Sequence, residues 1–253
     1  MTGAAGGIGT SLRKLLPPIY PDLLLSDLAT PADLGANEKF KATDLADPAQ
    51  VEAICEGVDG ILHFGGYSVE GPWEQILQAN IIGCYNLFEA ARKKGVKRVV
   101  FASSNHAVGF YPRHHRIGTD VTARPDSRYG VSKVFGVTCL RIGNFGDKPL
   151  DQRRLAIWLK PEDLVQLCRI GLEHPDIHFE IFYGASYNER AWWDNHRAYE
   201  LGYRPTGRGE DHREHAMAEQ AKLKPDLVSD FYQGGTFCGM EFDGDKSRIV
   251  DWK

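Results

Sequence analysis

The sequence predicts a doubly wound α/β fold on one parallel sheet. Short apolar runs alternate with helix-like stretches along the chain, and the residue clusters able to do chemistry sit just after those runs. In such a sheet the carboxyl ends of the strands form the ligand-binding edge. A third observation is the opening Thr2-Gly3-Ala4-Ala5-Gly6-Gly7-Ile8-Gly9. Glycines spaced this way allow a tight turn, close backbone approach to a pyrophosphate and tight packing of the next helix. That helix would point free N–H groups at the phosphates. A plain Gly-rich turn is the alternative; with the alternation, the expected fold is Rossmann-like.

The elements follow in order. Residues 11–16 read as a helix stopped by Pro17-Pro18. Residues 23–26 form an apolar strand ending at Asp27, 18 positions past Gly9. A carboxylate there accepts hydrogen bonds from an adenosine ribose and repels a 2′-phosphate, so NAD is expected over NADP. A short strand over 40–43 runs into Asp44-Leu45, and a helix over 48–56 begins beside Asp47, a good N-cap. Residues 60–64 make a buried strand leading into Gly65-Gly66, whose backbone can approach a cofactor ribose. A long helix is expected over 73–94, closed by Gly95. The strand over 98–102 delivers Ser103-Ser104-Asn105-His106 at its carboxyl end, and 137–142 reads as a further strand.

Two places break the pattern. Only Met1 precedes Thr2, yet a strand of about 5–6 residues should enter the glycine turn. Val134-Phe135-Gly136 is also shorter than the roughly 10–12 residues a parallel crossover needs. Residues are therefore expected to be missing from the sequence before Thr2 and after Lys133. From Asn144 onward the character changes, with helices over 155–158 and 161–171 and a strand over 179–183. One domain over 1–253 is expected, with a small substrate-side cap mainly from 144–253.

Composition bounds the function. The chain has 253 residues, 42% hydrophobic and 25% charged, as in a soluble globular protein. A net charge of −4 argues against a nucleic-acid partner, which would need a clustered basic face. No apolar run approaches the roughly 18 residues of a membrane span, and no signal peptide is expected before the glycines. Cysteines at 55, 84, 139, 168 and 238 lack metal-site spacing and fit buried thiols in a reducing cytoplasm. No metal is expected.

Tyr129-Gly130-Val131-Ser132-Lys133 is the most informative motif. On a helix, residues four apart share a face with side chains about 5–6 Å apart. An ammonium there is expected to pull the phenol pKa down from about 10, as a general base requires. Ser104, 25 positions before Tyr129, can hydrogen-bond the oxygen being deprotonated. Asn80 shares a helical stripe with Ile76, Gly83 and Leu87, either as a satisfied core amide or shaping the loops near a nicotinamide. Ser68 either touches substrate or caps a turn. Asn105 and His106, directly after the serine, can face the pocket. His114-His115 reads as a solvated loop, since adjacent side chains point apart. Arg153-Arg154 either stands solvated at a helix start or clamps an anion bidentately.

The pairing of Thr-Gly-x-x-Gly-x-x-Gly with Tyr-x-x-x-Lys resembles the extended short-chain dehydrogenase/reductase superfamily. Within it, the strings at 63–70, 80–83, 103–106, 141–143, 192–195 and 233–237 resemble uronate dehydrogenases. The likeness runs from Thr2 to about Phe237. It implies an NAD-dependent dehydrogenase acting on a hexuronic acid, with Ser104, Tyr129 and Lys133 as catalytic residues. Gly3, Gly6, Gly7, Ile8, Gly9, Asp27, Asp44, Leu45, Phe64, Gly65, Gly66, Asn80 and Ile142, with Tyr129 and Lys133, would hold the cofactor. Ser68, Ser104, Asn105, His106 and Tyr129 would meet the sugar, and Arg153 its carboxylate. Asn144 stands where the family usually has serine, which puts substrate choice rather than redox chemistry in question. A cytoplasmic homo-oligomer is implied. The rival expectations are a nucleotide-sugar epimerase or dehydratase, usually longer, and an NAD-sensing regulator, which has no need of a tyrosine base.

Overall fold

The computed structural model describes residues 1–135 and 139–251, with α1 (Gly7–Leu15) following directly on the glycine turn. Next come β1 (Leu24–Asp27), β2 (Lys39–Ala42), α2 (Pro48–Ile54) and β3 (Gly60–His63). Asp47 caps α2 by accepting from Ala49 N and Gln50 N. A long helical rod follows: α3 (Trp73–Ile76), a π-helical stretch (Leu77–Ile82) and α4 (Gly83–Lys94). Gly95 ends it in the left-handed region at φ 72°. Then come β4 (Arg98–Ser104), α5 (Arg128–Val134) and β5 (Cys139–Ile142).

All pairings in the main sheet are parallel. β2 lies beside β1, and β3, β4, β5 and β8 (Ile181–Gly184) follow one another across the sheet. Thr2 joins the two sets, bridging Ser26 of β1 and His63 of β3. The strand order reverses there, so the glycine turn opens at the crevice where such folds bind ligands. Beneath Thr2, between β1 and β3, lies a cavity of about 770 Å³.

Alternation along β3 shows how the sheet is covered. Leu62 faces a core built with Leu12 of α1, its C-cap Leu16, Val100, Leu140, and Leu164 and Leu167 of α7 (Pro161–Glu173). Its neighbour Ile61 faces the opposite layer with Val51 and Ile54 of α2 and Leu87 and Ala90 of α4. Each buried leucine, isoleucine or valine among them contributes roughly 1.5–3 kcal/mol on burial.

Besides shifted ends, such as α1 starting at Gly7 rather than 11 and β8 at Ile181 rather than 179, three features differ from the sequence expectation. The predicted helix over 73–94 carries a π-helical stretch centred on Asn80, because the Asn80 amide is committed sideways. Ser103 and Ser104 belong to β4 itself and pair with Arg141 and Ile142 of β5. α6 (Gln152–Ile157) begins earlier than expected, capped by Asp151, and Trp158 passes into β7 (Trp158–Leu159), paired with β6 (Asn144–Phe145). The predicted strand start at 137 and the short crossover at 136 lie outside the described residues. Among the described residues, no helix is long and apolar enough to cross a membrane.

His63 gives this core a pH dependence. Its Nδ1 lies 2.7 Å from Thr2 Oγ1. Burial, reinforced by the Lys133 ammonium, pushes the imidazole down to about 3. The unfolded chain takes up this proton near 6.5 and the folded chain does not. Stability is therefore full above about pH 6.5 and falls as pH drops towards 3, by about 2 kcal/mol at pH 5. Urea unfolding at pH 7.5 and 5.0 is expected to show that loss, and His63→Gln to remove most of it. An unchanged difference in the variant would acquit His63.

Candidate active site

The glycine turn is shaped by contacts a larger residue would block. Gly3 sits at φ +73°, and a Cβ there would lie 2.5 Å from the Phe64 carbonyl carbon. A Cβ on Gly9 would lie 2.1 Å from Gly3 O. Ala5, Gly6 and Gly7 are exposed at the start of α1, with Ile8 part-buried behind them. Asp27 closes the turn, its Oδ2 accepting from Ala5 N at 2.9 Å. Beside it opens a pocket of about 150 Å³, lined in part by Gly3, Asp27, Asp44, Leu45, Gly65 and Gly66. That volume suits one ring system of a dinucleotide, and the exposed glycines offer backbone to a pyrophosphate. The residues present therefore fit the expected cofactor.

Asn80 secures the next wall. Its Oδ1 accepts from Tyr67 N at 2.7 Å, and its Nδ2 donates to Tyr67 O and to Ser132 Oγ, each at 2.9 Å. The amide thus ties the loop after β3 to the helix carrying Tyr129. Ser68 lies exposed on that loop. Two residues on, Glu70 Oε2 accepts from Tyr129 N at 2.9 Å and Oε1 accepts from Arg128. Phe64, part-buried, precedes Gly65.

At the carboxyl ends of β4 and β5, Ser104, Tyr129 and Lys133 come together as expected. Ser127 caps α5 and both Tyr129 and Lys133 are buried on it. The Ser104 hydroxyl lies close enough to the Tyr129 phenol to lower its pKa. Lys133 Nζ lies 5.5 Å from the Tyr129 ring centroid and donates to Ala102 O at 3.1 Å. The expected lowering of the phenol pKa is not what this state shows. Burial pushes Tyr129 up to about 12; the Ser104 hydroxyl lowers it and the Asp126 carboxylate raises it. A phenolate loses more by leaving water than its neighbours return, so the resting group is a phenol.

Further polar residues gather beside Tyr129. His106 is buried, with Nδ1 2.7 Å from Asp126 Oδ2, and its ring stacks on Phe237 at 3.8 Å between centroids. With the Asn105 amide oriented to suit its neighbours, its nitrogen donates to Ile142 O at 3.2 Å and its oxygen accepts from Arg153 Nη2 at 2.9 Å. Arg153, in the first turn of α6, also donates from Nε to Gln233 O at 2.6 Å. Arg154, by contrast, pairs with Asp151. Among the described residues no carboxylate forms an ion pair with Arg153; burial and nearby Arg113 push its guanidinium down to about 10, still charged at neutral pH. Asn144, at the start of β6, carries a buried Oδ1 without a hydrogen bond. His114 and His115 are exposed, and no metal-binding group occurs among the described residues.

Asp126, Glu70, Ser132, Gln233 and Phe237 shape this site without having been singled out individually. Glu70, Gln233 and Phe237 fall inside strings read for resemblance, and Asp126 stands before the α5 cap. Nothing local in the sequence ties any of them to its partner.

Comparison with known proteins supplies the family. A model of the NAD dependent epimerase/dehydratase family matches residues 1–142. A uronate dehydrogenase of Pseudomonas putida is 44% identical, over 94% of this chain and 94% of its own. That of Pseudomonas syringae pv. tomato is 42% identical, over 97% and 94%. A mutant of uronate dehydrogenase from Agrobacterium tumefaciens, solved in complex with NAD, superposes with a TM-score of 0.88 at 42% identity, over 94% and 95%. With one match spanning more than half the chain and the others nearly all of it, the chain belongs to the NAD-dependent epimerase/dehydratase family.

Proposed function

We propose that this protein oxidises the anomeric carbon of a hexuronic acid, glucuronate or galacturonate, with NAD, yielding an aldarolactone. The observation that carries this reading is Arg153, a charged guanidinium without a carboxylate partner among the described residues, joined to Asn105 beside His106. A fork of N–H donors suits a sugar carboxylate bidentately. The extensive likeness to uronate dehydrogenases supports the same substrate.

In this reading Gly3, Gly6, Gly7, Ile8 and Gly9 hold the pyrophosphate, Asp27 the adenosine ribose, and Asp44, Leu45, Phe64, Gly65, Gly66 and Ile142 line the remainder. Asn80 keeps the Tyr67 loop in place against them. When bound, NAD supplies the acceptor for the hydride leaving C1. Tyr129 takes the C1 hydroxyl proton while Ser104 fixes that oxygen, and Lys133 supports the phenolate as it forms. Ser68, Asn105, His106 and Asn144 meet sugar hydroxyls, and Arg153 sets the carboxylate. The setting is a cytoplasmic homo-oligomer; the buried thiols Cys55, Cys168 and Cys238 suit a reducing compartment.

NADH formation from NAD with uronic acids, neutral hexoses and sugar nucleotides tests this. Uronic acids are expected to give the highest kcat/KM. Turnover of sugar nucleotides alone, or no turnover of any sugar, would reject it.

A further inference from the structure

We propose that Asp126 is the positioning residue of the sugar-facing wall, holding His106 in the tautomer with its proton on Nδ1 and leaving Nε2 to accept a substrate hydroxyl. The proposal rests on the reading of this site as one that binds a sugar acid.

The carboxylate is a built feature. Its side chain is 0% exposed, and Oδ2 lies 2.7 Å from His106 Nδ1. Ser127 Oγ donates to Oδ1 at 2.8 Å, and Cys238 Sγ stands 3.8 Å from Oδ2. Three chain segments leave room for it. A Cβ on Gly109 would fall 1.8 Å from Oδ2, one on Gly234 1.9 Å from the same atom, and one on Gly130 3.1 Å from Oδ1. Gly234 N donates to Gly109 O at 2.8 Å, closing two of these segments over the carboxylate.

With Ser127 Oγ donating to Oδ1, Oδ2 is left to accept, so the imidazole donates to it from Nδ1. Burial disfavours the imidazolium, and the Arg153 charge works in the same direction against the opposing pull of Asp126 and Glu70. The ring is therefore neutral, with a lone pair on Nε2, which makes no hydrogen bond within the described residues. Stacking on Phe237 and the edge contact with Tyr129, 5.7 Å between centroids, keep that lone pair aimed. A hydroxyl donating to Nε2 would be fixed on the same wall as the phenol that takes its neighbour's proton.

Nitrogen-15 NMR of histidine-labelled protein tests the tautomer directly. At pH 7 the expected His106 signals are a protonated Nδ1 and an unprotonated Nε2. An Nε2–H tautomer or an imidazolium would overturn the proposal. A kinetic cycle adds a second measurement. Asp126→Asn is expected to lower kcat/KM for the uronate roughly tenfold to a hundredfold, mainly through KM, with NAD affinity unchanged. In a His106→Ala background the same substitution is expected to add little. Equal losses in both backgrounds, or loss of NAD binding, would reduce Asp126 to a structural role. Absence of uronate oxidation with the predicted tautomer intact would overturn the substrate reading instead.

Discussion

Tyr129→Phe is expected to lower turnover by about a thousandfold or more, within the range general-base removal commands, while NAD affinity changes by less than about threefold. The substitution removes one oxygen and little else. The Tyr129 ring is 7% exposed and rests against His106 and Phe237, contacts that phenylalanine retains. Its backbone N–H stays bound to Glu70, so α5 keeps its register. The lost group is the phenol that Ser104 engages and that burial pushes up to about 12. Since the deprotonated form is the base, oxidation by the wild-type protein is expected to rise with pH below that value. The variant's residual rate is expected to lack this rise. Steady-state kinetics across pH, with calorimetric NAD titration, separates the outcomes. Retained turnover would remove Tyr129 as base, and lost NAD binding would show a structural fault.

The same residue marks where the sequence is legible. Four-residue spacing placed Tyr129 and Lys133 on one helical face, and the observed 5.5 Å from amine to ring centroid agrees with it. The sign of the phenol's pKa shift did not follow, because it depends on burial contributed by distant segments. Features written in local chain chemistry were readable: the glycine turn, the Asp47 cap, the Gly95 stop and the edge position of Ser104. Features made by long-range closure were not. The π-helical stretch at Asn80 depends on Tyr67 and Ser132, and the posture of His106 on Asp126, 20 positions away. Arg153 shows both sides. Residue type and spacing alone favoured a solvated helix start over a clamp. Its anchoring to Gln233, 80 positions on, is what turns the guanidinium into the wall.

That anchoring governs how Arg153 must be tested. Arg153→Ala is expected to raise KM for glucuronate or galacturonate roughly tenfold to a hundredfold, the scale of a charged hydrogen bond. Alanine also strips Asn105 and Gln233 of a donor, so some loss comes from disorder of the wall. A neutral hexose experiences that disorder but has no carboxylate to lose. The informative quantity is therefore the ratio of kcat/KM for uronate over hexose, which is expected to collapse. Arg153→Lys keeps a charge without the planar fork and is expected to fall between the two. The wild-type protein supplies an independent check. With the guanidinium pushed down to about 10, uronate KM is expected to rise as pH approaches that value, while hexose KM does not follow. Parallel changes for both sugars would mean that Arg153 organises the pocket without reading the carboxylate. The acid group of the substrate would then have to be recognised elsewhere.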